Sequence, residues 1–549
     1  MGQAMSADLV LLGARIRTMD RARPWAQAVA VRDGHFLAVG TESDVGPLVG
    51  PRTEVVDCSG RLLLPGLLDS HCHAYEGARA ALYEVRLSLD DELTGIFAKI
   101  GEVASRLPHG VWLKGAGWAG RLTAELRTQE ALRALDAATG SRPTAIRDSS
   151  HHTLFANTAA MRSAGITADN ADAPNGSIDR RPDGSLSGLF FEGACALIDC
   201  AIPADDGIRR REAALHAART YNRYGVTGIV HAATSEMVMA TFSELDRREE
   251  LSLWVATCIA TDSILTPERD GVGAAAIANR SRHASAHVLV DFVKFFMDGV
   301  PAGRTASFVE PYLPDAAGVA TITAPFHQAE ALRDLILPLD SAGIHVKVHA
   351  VGDRAIRDTI DAIEAVRRIN GAGGPQHSIA HLSYARREDI QRLAGLNIVA
   401  DLCPPLWFPN NVVRSNAAVL GPERGNRAWP TGDIVRSGAL TVLGTDWPII
   451  TSPNPWPGIA SLITRRDPFS NSTETFRPDQ AITLDQALSL CTLNVADSMG
   501  VGSRTGSISP GKAADFIVLN RDIFGVDPAA IAETEVEKTY FNGRLVHEA

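Results

Sequence analysis

The segment PGLLDSHCHA, at residues 65–74, decides the fold that we predict for this chain. Its apolar first half is typical of a buried strand, and His71 and His73 stand where that strand would end. Side chains alternate along a strand, so two histidines two residues apart point to the same side and offer one metal ion two nitrogens. Alone, this HxH motif is explained equally well by two core or surface histidines.

Three other apolar segments also end in a residue that can bind a metal. His349 lies near the end of HVKVHA, His381 closes SIAH, and Asp446 follows TVLG. Barrel enzymes hold their chemistry at the carboxyl ends of the strands, where the loops begin. Taken singly, each residue is explained as well by a core histidine or a loop-capping aspartate. Together with the first pair, they predict one metal site.

The middle of the chain alternates short β-branched segments with amphipathic helical patterns, which is typical of repeated βα units. DRAIRDTIDAIEAVRRI, at residues 353–369, is one such helical pattern between two strands. We therefore predict an α/β protein built on a (β/α)8 TIM barrel. Its eight predicted strands cover residues 64–69, 226–231, 252–259, 288–296, 344–349, 378–381, 397–401 and 440–446.

Both ends of the chain have short strand patterns divided by turn signals, as in DLVLLGARIRTM and TYFNGRLVHE. We predict that residues 1–63 and 503–549 form one small β-sandwich domain, while the barrel spans residues 64–76 and 206–502. The first two barrel strands are separated by far more than the roughly 2–6 residues of a usual βα loop. Residues 77–205 are therefore predicted to be an inserted lid or cap subdomain on the catalytic face.

The composition fits a soluble globular enzyme. The 549 residues are 45% hydrophobic and 21% charged, with a formal net charge of -11 and no basic stripe, which disfavours nucleic acid and anionic membranes as partners. No apolar run approaches the roughly 18 residues of a membrane span. The seven cysteines are scattered without a CxxC pair, so we expect a reduced, cytoplasmic protein.

The fourth predicted strand, VLVDFVKFFMDG at residues 288–299, carries Lys294 inside an apolar run. A buried ammonium group without a partner is costly, so something must neutralise it. Pairing with Asp298 would do so in the ordinary way. We favour carbamylation by CO2, which turns the amine into a bridging carboxylate, because a two-metal site needs a bridge at this position.

These segments resemble the amidohydrolase superfamily and, within it, the amidohydrolase-3 or YtcJ-like family, which includes N-substituted formamide deformylases. The resemblance covers almost the whole chain, and its motifs are highly specific in combination. They are PGLLDSHCHA, RDSSHHTLFANTAAMRSAGI, GSLSGLFFE, GVTGIVHA, VKFFMDGVPAGRTA, HAVGDRAI, AHLS, GTDWPI and GSISPGKAADFIVLN.

The resemblance implies a set of six metal ligands, namely His71, His73, Lys294, His349, His381 and Asp446. The first two would bind the more buried metal, Lys294 would bridge as a carbamate, and His349 and His381 would bind the second metal. One or two divalent ions fit this binuclear pattern. Zn2+ suits such ligands best, although ligand type alone does not separate it from Mn2+ or Fe2+. A homodimer is expected from the family alone.

Two residues are the predicted catalytic groups. Asp446 would serve as general base and then acid, and His152 matches the family's insertion motif and would stabilise an oxyanion. Packing beside His151 is an equal alternative for His152. Six residues are predicted to contact the substrate, with core or lid packing as the alternative for the aromatic ones and a loop anchor as that for Arg304. They are Trp118, Glu192, Arg304, Trp407, Phe408 and Trp447.

The predicted function is that of an amidohydrolase acting on carbon–nitrogen bonds other than peptide bonds. A metal-activated hydroxide would cleave a small, hydrophobic or aromatic amide, formamide or carbamate. Trp447 and the segment LCPPLWFPNN are bulkier than the family's usual residues, and they put the substrate class in question rather than the metal site. A metal-dependent lyase, decarboxylase or isomerase, or a non-catalytic binder, are the alternatives.

Overall fold

The computed structural model describes residues 6–107, 111–149, 151–173, 176–261, 271–315 and 318–549. Eight parallel strands, hydrogen-bonded in sequence order, form a nearly closed barrel. The predicted (β/α)8 barrel is therefore confirmed. Its strands are Leu67–Cys72, Val226–Thr234, Trp254–Ala260, Val288–Phe296, His345–Ala350, Ser378–His381, Val399–Leu402 and Thr441–Leu443.

The first barrel strand begins three residues later than the sequence pattern suggested. Leu62–Pro65 is a separate strand that belongs to one of the small sheets, and the barrel strand starts at Leu67. Gly66 lies between them, where a Cβ would stand only 2.2 Å from the Thr227 hydroxyl. The chain thus leaves one sheet and enters the other at a residue with no room for a side chain.

Helices follow and surround the barrel strands, as expected for βα units. The helix Gly207–Arg223, for example, begins at the Asp206 cap, whose side chain accepts the Arg209 N–H. The other helices of this layer are Ala74–Tyr83, Glu236–Arg247, Gly273–Asn279, Ala329–Ser341, Asp353–Asn370, Arg387–Leu393, Asn411–Leu420, Pro422–Gly425, Thr431–Arg436, Trp456–Thr464, Leu484–Leu490 and Leu493–Ser498. No helix among the described residues is both long and apolar enough to cross a membrane.

Backbone hydrogen bonds tie the segment after the eighth strand to the end of the first one. The Asp446 N–H donates to the His71 carbonyl at 2.7 Å, and the His73 N–H donates to the Trp447 carbonyl at 2.7 Å. These bonds hold the HxH motif and the TDWP motif side by side. Both motifs therefore lie at the carboxyl end of the barrel, where barrel enzymes carry their active sites.

The long insertion after the first barrel strand has its own sheet and its own hydrophobic core. Six strands lie in the order Gly176–Arg180, Leu186–Glu192, Thr153–Ala156, Thr144–Asp148, Leu113–Trp118 and Val85–Arg86. The accompanying helices are Leu93–Arg106, Thr123–Leu126, Gln129–Thr139, Thr158–Ser163 and Cys195–Asp199. Trp118, Phe155 and Phe190 are buried in this core, so the insertion is a folded unit rather than an extended loop.

Strands from both ends of the chain form two small sheets packed against each other. One sheet has the order His35–Gly40, Ala28–Arg32, Leu9–Leu12 and Glu54–Asp57. The other has the order Arg544–Glu548, Val536–Phe541, Phe516–Leu519, Leu62–Pro65, Arg15–Arg17 and Trp25–Ala26. Leu11, Phe36 and Phe516 share the core between them.

Candidate metal centre and active site

Four buried residues with metal-binding side chains converge at the carboxyl end of the barrel. His71, His381, Cys403 and Asp446 each offer one donor atom, and these atoms all lie within 4.8 Å of one another. His71 belongs to the first strand, His381 ends the sixth, and Cys403 and Asp446 follow the seventh and eighth. Imidazole, thiolate and carboxylate are the ligand types of zinc, so the residues present fit a divalent metal ion.

His73 and His349, the other two predicted histidine ligands, flank this group. His73 Nε2 lies 3.4 Å from Asp446 Oδ1. The His349 ring lies 4.4 Å from the His381 ring, measured between centroids. His349 Nε2 also lies 3.3 Å from the Gly299 carbonyl oxygen. Because a carbonyl only accepts, Nε2 carries the proton and Nδ1 remains as the metal-binding nitrogen.

Lys294 is buried beside the same histidines, with its Nζ 3.5 Å from His71 Nε2. Asp298 does not neutralise it. The Asp298 carboxylate instead accepts three backbone N–H groups, from Ser307, Val351 and Gly352, at 2.8–2.9 Å. In the described ranges no carboxylate forms an ion pair with the Lys294 ammonium group. Burial, followed by the charge of Lys347, lowers the pKa of Lys294 to about 8.

The protonation states of the site favour metal binding. Burial lowers the pKa of His71, His349 and His381, and the charge of Lys294 acts in the same direction, so these imidazoles are neutral near pH 7. Burial would raise the pKa of Asp446, but the hydrogen bond from His73 and the neighbouring imidazoles outweigh it and lower that pKa. Neutral imidazoles and an ionised carboxylate are the forms that bind metals.

A buried network behind His71 was not predicted from the sequence. Asp401, which is fully buried, accepts the Ser70 hydroxyl at 2.5 Å and lies 2.9 Å from His71 Nδ1. The Lys347 ammonium group donates to Asp401 and to the Ser70 carbonyl. Since a carboxylate accepts, Asp401 holds the proton on His71 Nδ1 and leaves Nε2 for the metal. The signal was present, because Lys347 and Asp401 both interrupt apolar strand patterns, as Lys294 does.

His152 of the insertion forms a pair with Glu192. Its Nδ1 lies 2.6 Å from Glu192 Oε2, and both side chains are partly exposed. Burial would lower the pKa of His152, but the hydrogen bond and charge of Glu192 outweigh it and raise that pKa. The charge of His152 is in turn among the causes, after burial and the charges of His381 and Lys294, that lower the pKa of His349. His152 of the insertion thus contributes to the low pKa of His349.

The aromatic residues predicted to contact substrate lie mainly in packed regions. Trp118 is fully buried in the core of the insertion, where its Nε1–H donates to the Ile146 carbonyl at 3.2 Å. Trp407 is fully buried in the barrel core. Trp447 packs edge-on against Tyr221, with ring centroids 5.9 Å apart. All three rings thus make packing contacts, and their contact with the substrate stays a prediction.

Phe408 and Arg304 lie in different surroundings. The Phe408 ring lies 6.2 Å from that of Phe469, which is 76% exposed, so this aromatic pair reaches the surface. The Arg304 guanidinium donates to the Leu313 carbonyl at 2.8 Å and lies over the Tyr312 ring. These contacts are those expected of a loop anchor, and contact of Arg304 with the substrate stays a prediction.

In this chain a TIM barrel gathers histidines, a lysine and a carboxylate at its strand ends. This arrangement is typical of metal-dependent barrel hydrolases. Comparison with protein families agrees, since residues 54–547 match the model described as the amidohydrolase family. The chain belongs to this family. It is therefore a metal-dependent hydrolase, and an enzyme that acts on carbon–nitrogen bonds other than peptide bonds.

Several known proteins are similar to this chain over nearly its whole length. The N-substituted formamide deformylase of Arthrobacter pascens is 29% identical, with 98% of each chain covered. The YtcJ protein of Bacillus subtilis is 27% identical, again with 98% of each chain covered. Among solved structures, an uncharacterized metal-dependent hydrolase from Pyrococcus horikoshii has a TM-score of 0.75 at 21% identity, covering 95% of this chain and 99% of that one. The last similarity supports the fold alone.

Proposed function

We propose that this enzyme hydrolyses a small, hydrophobic or aromatic amide, formamide or carbamate, and that an N-substituted formamide is the first substrate to test. The observation that carries the proposal is the convergence of His71, His381 and Asp446 on one buried space beside Lys294. The full-length similarity to an N-substituted formamide deformylase supports the substrate class. In this reaction a water oxygen attacks the carbonyl carbon, the C–N bond breaks, and the elements of water are added across it.

The proposed centre holds one or two zinc ions through His71, His73, His349, His381 and Asp446. A divalent ion supplies Lewis-acid polarisation of the carbonyl and lowers the pKa of a bound water to about 7. Lys294 is proposed to be carbamylated, since its neutral amine adds to CO2 and releases one proton. A pKa of about 8 leaves a neutral fraction of this amine at neutral pH, and the carbamate then contributes an anionic oxygen ligand.

Asp446 is proposed to move the protons of the reaction. Its carboxylate is ionised and buried, so it can take a proton from the attacking water and later give it to the leaving nitrogen. Returning the proton to nitrogen matters because an amide anion is a poor leaving group. The same residue thus serves as base in the first half of the reaction and as acid in the second.

His152 is proposed to donate a hydrogen bond to the developing oxyanion. Glu192 accepts from Nδ1, so Nε2 bears a proton only while the imidazole is charged. The pKa of His152, raised by Glu192, maintains that charged form to higher pH. Glu192 then acts on the substrate through His152 rather than by direct contact.

A substrate panel in 18O-labelled water tests the proposed function. The zinc-loaded enzyme is expected to convert N-benzylformamide to benzylamine and formate carrying one 18O atom, whereas a lyase reaction would incorporate none. Removal of zinc with a chelator should abolish turnover, and added zinc should restore it. Absence of hydrolysis across formamides, amides and carbamates by zinc-loaded enzyme would refute the proposal.

Replacing His152 by alanine, which has no side-chain donor, is expected to lower kcat by about 10²- to 10³-fold, the typical effect of losing one oxyanion donor. The Glu192→Gln variant should instead change the pH dependence of kcat. Without the carboxylate, His152 loses its proton at lower pH, so the falling alkaline limb of the kcat profile should move to lower pH. His151→Asn is the matched control, because asparagine tolerates the positive φ of 63° there. Unshifted profiles in Glu192→Gln would contradict the coupling.

We also propose that the enzyme is cytoplasmic and forms a homodimer. The six buried cysteines are free thiols, which suits a reducing compartment. Cell fractionation tests the first proposal, and sedimentation velocity of the purified enzyme tests the second. Secretion of the native protein, or a purely monomeric boundary, would reject the respective proposal.

A further inference from the structure

Cys403 lies in the metal centre, although the sequence pattern gave it no role. It follows the seventh barrel strand, Val399–Leu402, and its side chain is fully buried. Its Sγ is one of the four donor atoms that lie within 4.8 Å of one another, together with atoms of His71, His381 and Asp446. Those three residues come from different strands, so the thiol is one member of a convergent donor group.

Among the described residues, the hydrogen-bond contacts of the Cys403 thiol are long ones. The Sγ lies 3.4 Å from His381 Nδ1 and 4.0 Å from the Asp401 carbonyl oxygen. His381 Nδ1 also lies 3.0 Å from the Cys403 carbonyl, to which it donates, so that nitrogen does not accept from the thiol. The neighbouring Asp401 carboxylate already accepts from Ser70, His71 and Lys347. The described residues thus leave the Cys403 sulfur without a short hydrogen bond.

We propose that the Cys403 sulfur is a ligand of the resting metal centre, in addition to the histidines and Asp446. Coordination replaces the S–H bond by an S–metal bond, and the proton leaves to solvent. This inference rests on the proposed metal centre but not on the proposed substrate. Zinc in catalytic sites can expand from four to five ligands, so a thiolate does not prevent water or substrate from binding.

A thiolate ligand would bias the choice of metal. Soft sulfur ligands select zinc over manganese and magnesium, which prefer oxygen donors. A centre made only of histidine and carboxylate ligands discriminates less between zinc and manganese. A Cys403 ligand would therefore favour zinc over manganese in this centre.

X-ray absorption at the zinc edge tests the proposal on the full-length, zinc-loaded protein without any substrate. One sulfur scatterer at about 2.3 Å is expected beside nitrogen and oxygen scatterers at about 2.0–2.2 Å. Cys403→Ser should lose the sulfur scatterer. Cys491→Ser is the matched control, because that buried thiol lies 3.4 Å from the Ala487 carbonyl and outside the donor group.

The outcomes separate this inference from the proposed activity. A sulfur scatterer in wild type that disappears only in Cys403→Ser supports it, whether or not formamides are hydrolysed. Wild-type spectra with nitrogen and oxygen scatterers alone overturn it, and this result needs no variant to fold. A sulfur scatterer that persists in Cys403→Ser, or a protein that retains no zinc, overturns it as well.

Discussion

Asp446→Asn is expected to lower kcat by at least about 10²- to 10⁴-fold, the range of general acid–base catalysis, while the barrel stays folded. Asparagine has nearly the same shape, so the buried space remains filled. The amide cannot accept the water proton as the carboxylate does, and it is a poorer metal ligand than an anionic oxygen. Because Asp446 lies within reach of both His71 and His73, the variant should also retain less zinc.

Activity on the best formamide, zinc content and thermal unfolding should be measured together for this variant. Glu474→Gln is the matched control, because that carboxylate is exposed on the loop between Arg465 and Phe476. The control should behave as wild type in all three measurements. A folded Asp446→Asn enzyme that keeps activity within tenfold of wild type would remove Asp446 from the mechanism.

The barrel could be predicted from the sequence because each strand is a short apolar run bounded by helical periodicity. The fourth and sixth strands, Val288–Phe296 and Ser378–His381, coincide with their predicted bounds. The first strand does not coincide with its predicted bounds. LLLPGLLDSHC looks like one continuous strand in the sequence, but it forms two strands in the fold. Periodicity cannot show that a chain changes sheets at Gly66, since that depends on its proximity to Thr227.

The convergence of His71, His381 and Asp446 could be predicted because the strand ends of a barrel meet at one rim, whatever the details of packing. That rule places His71, His381 and Asp446 together without any distance information. It does not say that the cysteine after the seventh strand lies among them. A cysteine in an apolar segment usually packs as a small hydrophobic residue, so Cys403 carries no distinguishing signal in one sequence.

For the aromatic residues, the sequence did not reveal which side chains are buried in a core. Trp118 and Trp407 stand in segments that were predicted to overhang the site, and both are fully buried in cores. Position in the chain predicts the neighbourhood of such a residue but not the side on which its ring packs. The tertiary contacts of the insertion decide that, and a single sequence does not contain them in readable form.

Asp401→Asn is expected to cost about 3–5 kcal/mol of unfolding free energy, the usual effect of removing one partner from a buried ion pair. Asp401 and Lys347 are both almost fully buried, and the variant leaves the Lys347 ammonium with a neutral amide. Burial would lower the pKa of Lys347, but Asp401 outweighs it and raises that pKa, which is the sign of a favourable pair. Urea denaturation measures the loss.

The same variant should weaken zinc binding by about 10- to 100-fold, as changes to groups behind a metal-binding histidine do. The physical reason for the weaker zinc binding differs from the reason for the lower stability. Without the carboxylate, the His71 imidazole is no longer fixed with its proton on Nδ1 and its Nε2 free. Competition with a chromophoric chelator measures zinc affinity under conditions where the variant is folded.

The double variant Asp401→Asn/Lys347→Met separates the two effects. Removing the uncompensated ammonium group should recover most of the lost stability, because methionine fills a similar volume without a charge. Zinc affinity should stay low, because the missing carboxylate, not Lys347, orients His71. Full recovery of zinc affinity in the double variant would show that Asp401 acts only as the counter-charge of Lys347. Persistent weak binding in a stable protein would establish Asp401 as the residue that positions His71 for the metal.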